Sequence, residues 1–506
     1  MADSWAGALA AAYLGGLLLS WVVEALLQPR PAAPWRRPPA AWAAHTGTWT
    51  LAFAFTLLLY QRPVFAAINA LALELVIVVV SNAKYKSLRE PFVYADFEYF
   101  TDAIRHPRLY LPFLNVWSAV LPPLVFALAC IAAFRYETSL PSQMGSAGAY
   151  LAVVAALALA GAWLCRARPG PMAYDAIADL RAHGLLACLW AYARAERLAP
   201  ALAPVPWPVF PPGAALPDLV SVQSESFFDP RPFYPALRPE LLAGFDKLCA
   251  ESWQYGQTSV PAWGANTVRS EFEFLTGLPA ESLGVHRFQP YRRLARQGVP
   301  ALANHLRQQG YRTVCIHPYH PGFYRRDTIL PLLGFDTFIS LDAFTGSPNT
   351  GPYIGDAEVA RKALSLLNDA DPRPIYLHLI TMENHGPLHW EKAGHADHQA
   401  TTRAALPAGC DDLVVYARHL RNADAMFGML ADGLRGRGRP ASLCVFGDHV
   451  PIMAGVYQAL GEPAGTTPYL IWANSDQADA QRRDIALSDL ATAWLRQAAQ
   501  QAKQQP

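Results

Sequence analysis

Apolar residues fall into two different patterns along this chain. Before residue 168 they form long runs, about 5–27, 42–61, 63–82, 112–134 and 147–165. Each has roughly the 17–25 apolar residues that cross a bilayer as a helix. Residues 173–198 then place apolar positions at helical spacing with charges between them, the pattern of an amphipathic helix that either lies along a membrane surface or plainly links two parts of the chain. The stretch 199–217, APALAPVPWPVFPPGAALP, is too rich in proline for a helix and predicts a stiff, extended linker.

From 218 onward short apolar runs alternate with helical stretches. The runs 218–223, 311–317, 375–380 and 442–447 predict buried strands. The stretches 300–310, 356–370 and 411–433 predict helices, with Asp356 as an N-cap, and another follows the loop before Thr267, with Asn266 as its cap. Such alternation builds an α/β domain with a mainly parallel sheet, and these sheets bind ligands at the carboxyl ends of their strands. Glu225, His317 and the pair Asp448–His449 all follow such ends. The expected organisation is a domain of five transmembrane helices over 1–168, an amphipathic helix and linker over 169–217, and an α/β domain over 218–506.

Composition sharpens this division. The chain has 506 residues, 52% hydrophobic and only 16% charged, against roughly 25% charged in soluble proteins. A net charge of +1, without a basic face carrying interleaved aromatics, gives no reason to expect a nucleic-acid partner. Seven cysteines without a CxxC exclude a thiolate zinc site and leave room for one disulfide at most.

The chemistry is concentrated in four residues. Glu225, Thr267, Asp448 and His449 supply two carboxylates, a hydroxyl and an imidazole, the set with which one divalent cation activates a threonine for phosphoryl or sulfuryl transfer. Thr267 at a helix start would face backbone N–H groups and the positive end of the helix dipole, which favour a transferred phosphate. Taken alone, Thr267 is better explained by a capping role; beside the other three residues it is better explained as the nucleophile. Arg326 alone could form a surface ion pair with Asp327 or Asp336. Glu271 and Glu273 read as first-turn carboxylates that suit the dipole, and His378 as a structural strand residue.

Six segments in order carry a family resemblance. VSVQSESFFD (220–229), GANTVRSEFEFLTG (264–277), GYRTVCIHPYHPGFYRRDTILPLLGFDTF (310–338), YIGDAEV (353–359), MENHGP (382–387) and CVFGDHVP (444–451) resemble segments of the lipoteichoic acid synthase and periplasmic-glucan phosphoglycerol transferase family, in the alkaline phosphatase and sulfatase superfamily. The resemblance implies an alkaline-phosphatase-like fold, Thr267 as nucleophile, and Glu225, Thr267, Asp448 and His449 as ligands of one metal ion. It also implies His317, Arg326 and His385 as substrate-binding residues. Tyr324 stands where relatives often place tryptophan, Arg269 is bulkier than the family's usual residue, and Ala357 interrupts a Gly-x-x-Asp-Glu-type helix start.

The expected activity is a metal-dependent membrane phosphotransferase. It would move phosphoglycerol from phosphatidylglycerol through a phospho-threonine to an envelope glycan or glycolipid. The ligand set suits Mn²⁺ best, with Mg²⁺ or Zn²⁺ as alternatives. A phosphoethanolamine transferase and a phosphodiesterase releasing the headgroup to water are the competing readings. The resemblance implies a multi-pass protein of the bacterial plasma membrane with its catalytic domain outside. The charge pattern dissents. Arg30, Arg36 and Arg37 follow the first span; Lys84, Lys86, Arg89, Arg105 and Arg108 follow the third; Arg166 and Arg168 follow the fifth. Only Arg62 and Arg135 follow the second and fourth, so positive-inside bias alone would put the catalytic domain in the cytoplasm.

Overall fold

The structure is a computed structural model and describes residues 2–98, 116–203, 205–348, 351–475 and 479–504. Arg105, Arg108 and the first part of the fourth expected span, 112–115, lie outside these residues. The chain divides into two compact units, Met1–Ala199 and Pro200–Pro506.

The first unit is helical. Helices occupy all five apolar stretches: α1 (Ala2–Glu24), α2 (Pro39–Tyr60), α3 (Pro63–Leu88), α4 (Val116–Tyr136) and α5 (Ala147–Leu164). Among the described residues, three are long and apolar enough to cross a membrane: Trp5–Glu24, Pro63–Leu88 and Ala147–Leu164. Small residues let α2 and α5 approach closely, since a Cβ on Gly47 would lie 2.8 Å from the Gly161 carbonyl oxygen. The amphipathic stretch is not one helix. It breaks at Gly184 (φ 81°) into α6 (Ala176–His183) and α7 (Leu185–Ala195). Glu24 explains the break: its carboxylate pairs with Arg37 and accepts the first backbone N–H of α7, from Leu185, at 2.8 Å.

The second unit is an α/β layer structure. Its strands are β1 (Asp218–Ser224), β2 (Gln254–Ser259), β3 (Arg312–Ile316), β4 (Thr337–Ile339), β5 (Ile375–Ile380), β6 (Ala441–Gly447), β7 (Thr467–Ala473), β8 (Gln481–Arg482) and β9 (Ile485–Ala486). The sheet runs β4-β3-β5-β1-β6-β7-β2-β8, with β9 also on β2. The first five strands are parallel, and β7 is antiparallel to both β6 and β2. All four strands read from the sequence lie in the parallel half.

The helices used below are α8 (Thr267–Thr276), α9 (Leu302–Gln308), α10 (Arg326–Leu332), α11 (Asp356–Leu367), α12 (Asp411–Arg435) and α13 (Leu487–Gln504). Strand alternation feeds two cores. Val220, Val222, Leu443 and Val445 pack with α11 and α12 on one face. Leu219, Tyr376, Cys444 and Phe446 pack with α8 and α13 on the other. His378 lies within the second layer, 2.8 Å from the Ser221 hydroxyl and stacked on Phe274. All seven cysteines are free.

Two local expectations need correction. Gly355, not Asp356, holds the cap position of α11; Asp356 is its first helical residue, and the Glu383 carboxylate accepts its backbone N–H at 2.7 Å. The proline-rich stretch has no regular structure, yet it is fastened to the second unit rather than left as a free spacer. Phe210 is buried against Tyr311, its N–H donates to Gln309 Oε1 at 2.9 Å, and the Pro208 carbonyl meets His305 Nε2 at 2.8 Å.

Candidate active site

The site stands at the carboxyl edge of the parallel strands. Within the β1–β6 ladder Ser224 pairs with Gly447, so the next residues, Glu225 and Asp448, leave the sheet side by side. Gly447 is needed at that position because a Cβ there would sit 1.8 Å from the Phe227 carbonyl oxygen. Thr381, just past β5, accepts the Glu225 N–H on its hydroxyl at 2.9 Å. Ser226 takes a left-handed conformation (φ 51°) that turns its N–H onto Asp448 Oδ1 at 2.8 Å and its hydroxyl onto Glu225 Oε1 at 2.8 Å.

Thr267 arrives from the other side as the first residue of α8. Asn266 holds the cap position with φ 68°, which asparagine tolerates, but its side chain makes no capping bond to the helix. The Thr267 hydroxyl donates to Glu225 Oε2 at 3.5 Å and lies close enough to Asp448 to favour its ionised form.

Among the described residues, Glu225, Asp448 and His449 each offer a ligand atom, and these atoms lie within 4.8 Å of one another. His449 Nε2 is 3.5 Å from Glu225 Oε1 and 3.6 Å from Asp448 Oδ2. Ligand atoms about 2.1 Å from a tetrahedral ion stand about 3.4 Å apart, so the spacing fits one cation. The Val450 carbonyl, 3.0 Å from His449 Nδ1, can only accept, which puts the proton on Nδ1 and the lone pair on Nε2. Both His449 Nε2 and Asp448 Oδ2 are buried without a hydrogen-bond partner. Orphans of this kind are costly in a folded protein, and a cation satisfies both at once. Burial, and secondarily the Glu225 charge, push the Asp448 carboxyl up to about 7.

Three further expected site residues are placed as follows. His317 and Arg326 meet: Arg326 Nη1 donates to His317 Nε2 at 3.0 Å, and His317 Nδ1–H donates to the Ile380 carbonyl at 3.1 Å. Burial, then the Arg326 charge, hold His317 well below its ordinary value, hence neutral. His385 lies in the loop after β5, its Nδ1–H on the Gly386 carbonyl at 2.7 Å, with the Tyr353 hydroxyl at 3.3 Å.

Arg326 makes no surface pair with Asp327 or Asp336. It is 1% exposed and bonds Glu271, which is fully buried, through Nε (3.1 Å) and Nη2 (2.7 Å). Glu271 is therefore not a solvent-facing carboxylate that tunes the dipole. Its position four residues after Thr267, on the same helix face, was the available signal. Glu273 is also buried, and its carboxyl is pushed up to about 8, first by burial and then by Glu281.

A sulfatase family model matches residues 217–500, more than half of the chain. The chain belongs to the sulfatase family. Over 455 residues it is 26% identical to the capsular polysaccharide biosynthesis protein RkpI of Rhizobium meliloti, covering 83% of this chain and 79% of that one. It is 24% identical over 173 residues to lipoteichoic acid synthase 1 of Bacillus subtilis, covering 33% and 26% of the two chains. Of solved structures, the phosphoglycerol transferase GacH of Streptococcus pyogenes is similar at 22% identity and a TM-score of 0.49, over 57% of this chain and 76% of that one. Within the sulfatase family, the motif segments of this chain resemble those of membrane phosphoglycerol transferases.

Proposed function

We propose that this protein is a membrane phosphoglycerol transferase whose nucleophile is Thr267. The observation that carries the reading is the convergence of the Thr267 hydroxyl with Glu225, Asp448 and the unpartnered His449 Nε2 at the edge of the sheet. Apolar helices in the same chain would anchor it to a membrane. Glu225, Asp448, His449 and the Thr267 oxygen would hold one divalent cation, Mn²⁺ by the donor set, which lowers the pKa of the hydroxyl when bound.

The protein's own residues account for the rest. The Thr267 oxygen attacks the phosphorus of a lipid phosphodiester, the bond to the diacylglycerol oxygen breaks, and a phosphoglyceryl-threonine forms. An acceptor hydroxyl then attacks the same phosphorus and releases Thr267. Arg326 donates hydrogen bonds to phosphate oxygens. His385, with Nδ1–H occupied, has Nε2 open to accept a proton or hydrogen bond from donor or acceptor. Phosphatidylglycerol fits as donor by the resemblance of the motif segments. An envelope glycan or glycolipid fits as acceptor, and the RkpI relative supports it by its description. That acceptor requires the catalytic unit to face outward, with five spans before it.

The test is incubation with labelled phosphatidylglycerol and Mn²⁺, followed by mass spectrometry of the peptide containing Thr267. A glyceryl-phosphate adduct that disappears in Thr267→Ala is expected. An adduct formed only from phosphatidylethanolamine would replace the donor. A reporter fused after residue 217 that reads cytoplasmic would refute the glycan acceptor.

A further inference from the structure

One helical turn past the nucleophile, α8 carries a carboxylate sealed from solvent. Glu271 is four residues after Thr267, on the same face and about 6 Å further along the helix axis. Three groups converge on it. Arg326 donates through Nε and Nη2, and the Tyr291 hydroxyl donates to Oε1 at 2.6 Å.

Hydrogen-bond counting shows what this leaves. A guanidinium has five N–H groups and no acceptor. In Arg326, Nε–H and one Nη2–H go to Glu271, and one Nη1–H goes to His317 Nε2. One N–H remains on each terminal nitrogen. His317 braces Arg326, its own Nδ1–H being held by the Ile380 carbonyl. Ile380 ends β5, and the next residue, Thr381, holds the backbone N–H of Glu225. A continuous set of bonds thus runs from the nucleophile's helix through Glu271, Arg326 and His317 to the strand end beside a metal-ligand candidate.

Stability alone does not call for this arrangement, since two well-packed apolar residues serve a core as well as a buried ion pair. We propose that Glu271 is a positioning residue for phosphoryl transfer. It fixes Arg326 relative to Thr267, so that the two remaining guanidinium N–H groups meet the non-bridging oxygens of the phosphate presented to the threonine. The inference rests on the phosphotransfer reading above.

The test uses the full chain in detergent micelles with Mn²⁺ and titrates inorganic phosphate by calorimetry. Glu271→Gln keeps the shape of the side chain and removes its charge. It is expected to weaken phosphate binding about tenfold while Mn²⁺ affinity stays within about twofold. Combined with Arg326→Lys it should add nothing to the loss caused by Arg326→Lys alone. Tyr291→Phe removes one bond to the same carboxylate and serves if Glu271→Gln fails to fold; its expected loss is about threefold. Phosphate affinity unchanged in both variants overturns the role of Glu271, as does an equal loss of Mn²⁺ affinity. If inorganic phosphate binds and sn-glycerol 1-phosphate does not, the phosphoglycerol reading falls and the role of Glu271 stands. If wild type binds neither, both fall.

Discussion

Without a divalent cation, this protein is expected to lose stability as pH rises from about 4 to about 7. One group responsible is Asp448, whose carboxyl is raised from 3.8 to about 7 by burial and by Glu225. In the unfolded chain it ionises near its ordinary value. In the folded chain it keeps its proton until about pH 7. The folded state therefore binds more protons across that window, and raising the pH favours unfolding until both states are ionised. A shift of about three units corresponds to about 4 kcal/mol. For a unit of roughly 300 residues, with an unfolding entropy near 0.6 kcal/mol/K, that is a fall of about 6 °C in Tm. Bound Mn²⁺ requires the ionised carboxylate, so the part of the slope owed to Asp448 should vanish or reverse when the ion is present. Scanning calorimetry of chelator-treated protein across this range, with and without Mn²⁺, measures both effects. Asp448→Asn is the control, because it removes the titrating group. A metal-free wild type whose pH slope matches that of Asp448→Asn would refute the reasoning.

Three further outcomes are expected. Arg326→Ala strands Glu271 as a buried, unpaired carboxylate and should cost about 3–5 kcal/mol, read as a lowered denaturant midpoint at unchanged m. Glu273 is neutral in the fold up to about pH 8 but ionised in the unfolded chain above its ordinary value of 4.5. Its contribution is lost as pH rises through that window, so Glu273→Gln should flatten the Tm–pH curve and raise Tm near pH 8. Gly447→Ala places a Cβ 1.8 Å from a backbone oxygen, and soluble folded protein should not be recovered in detergent by gel filtration.

The quartet around Thr267 was legible because each member follows a signal that sequence carries well: a short apolar run ending in an acid, or a loop giving way to helical periodicity. Four of the five parallel strands were legible for the same reason; β4, three residues long, gave no such run. The Glu271–Arg326 pair was not. Its members are separated by 55 positions, and a carboxylate near a helix start has an adequate local explanation in the dipole. The break at Gly184 was hidden because apolar spacing continues across it, while the partner that stabilises the restart, Glu24, lies at the end of α1. The proline-rich stretch showed its lack of regular structure but not its attachment, which depends on His305 of α9 and on Gln309 and Tyr311 just after it. Asp356 was one residue off because the side chain that receives its N–H, Glu383, comes from another loop.

The pairing of Ser224 with Gly447 bears on how such an enzyme can change over generations. The two acids are spaced by the gap between neighbouring strands, which the backbone ladder sets and no loop controls. The crossovers between β1 and β6 can therefore lengthen, shorten or be exchanged without moving the two acids apart, so the surroundings of the site can change by rewriting loops alone. A one-residue slip in either strand would turn its ligand toward the opposite layer and end the chemistry at once.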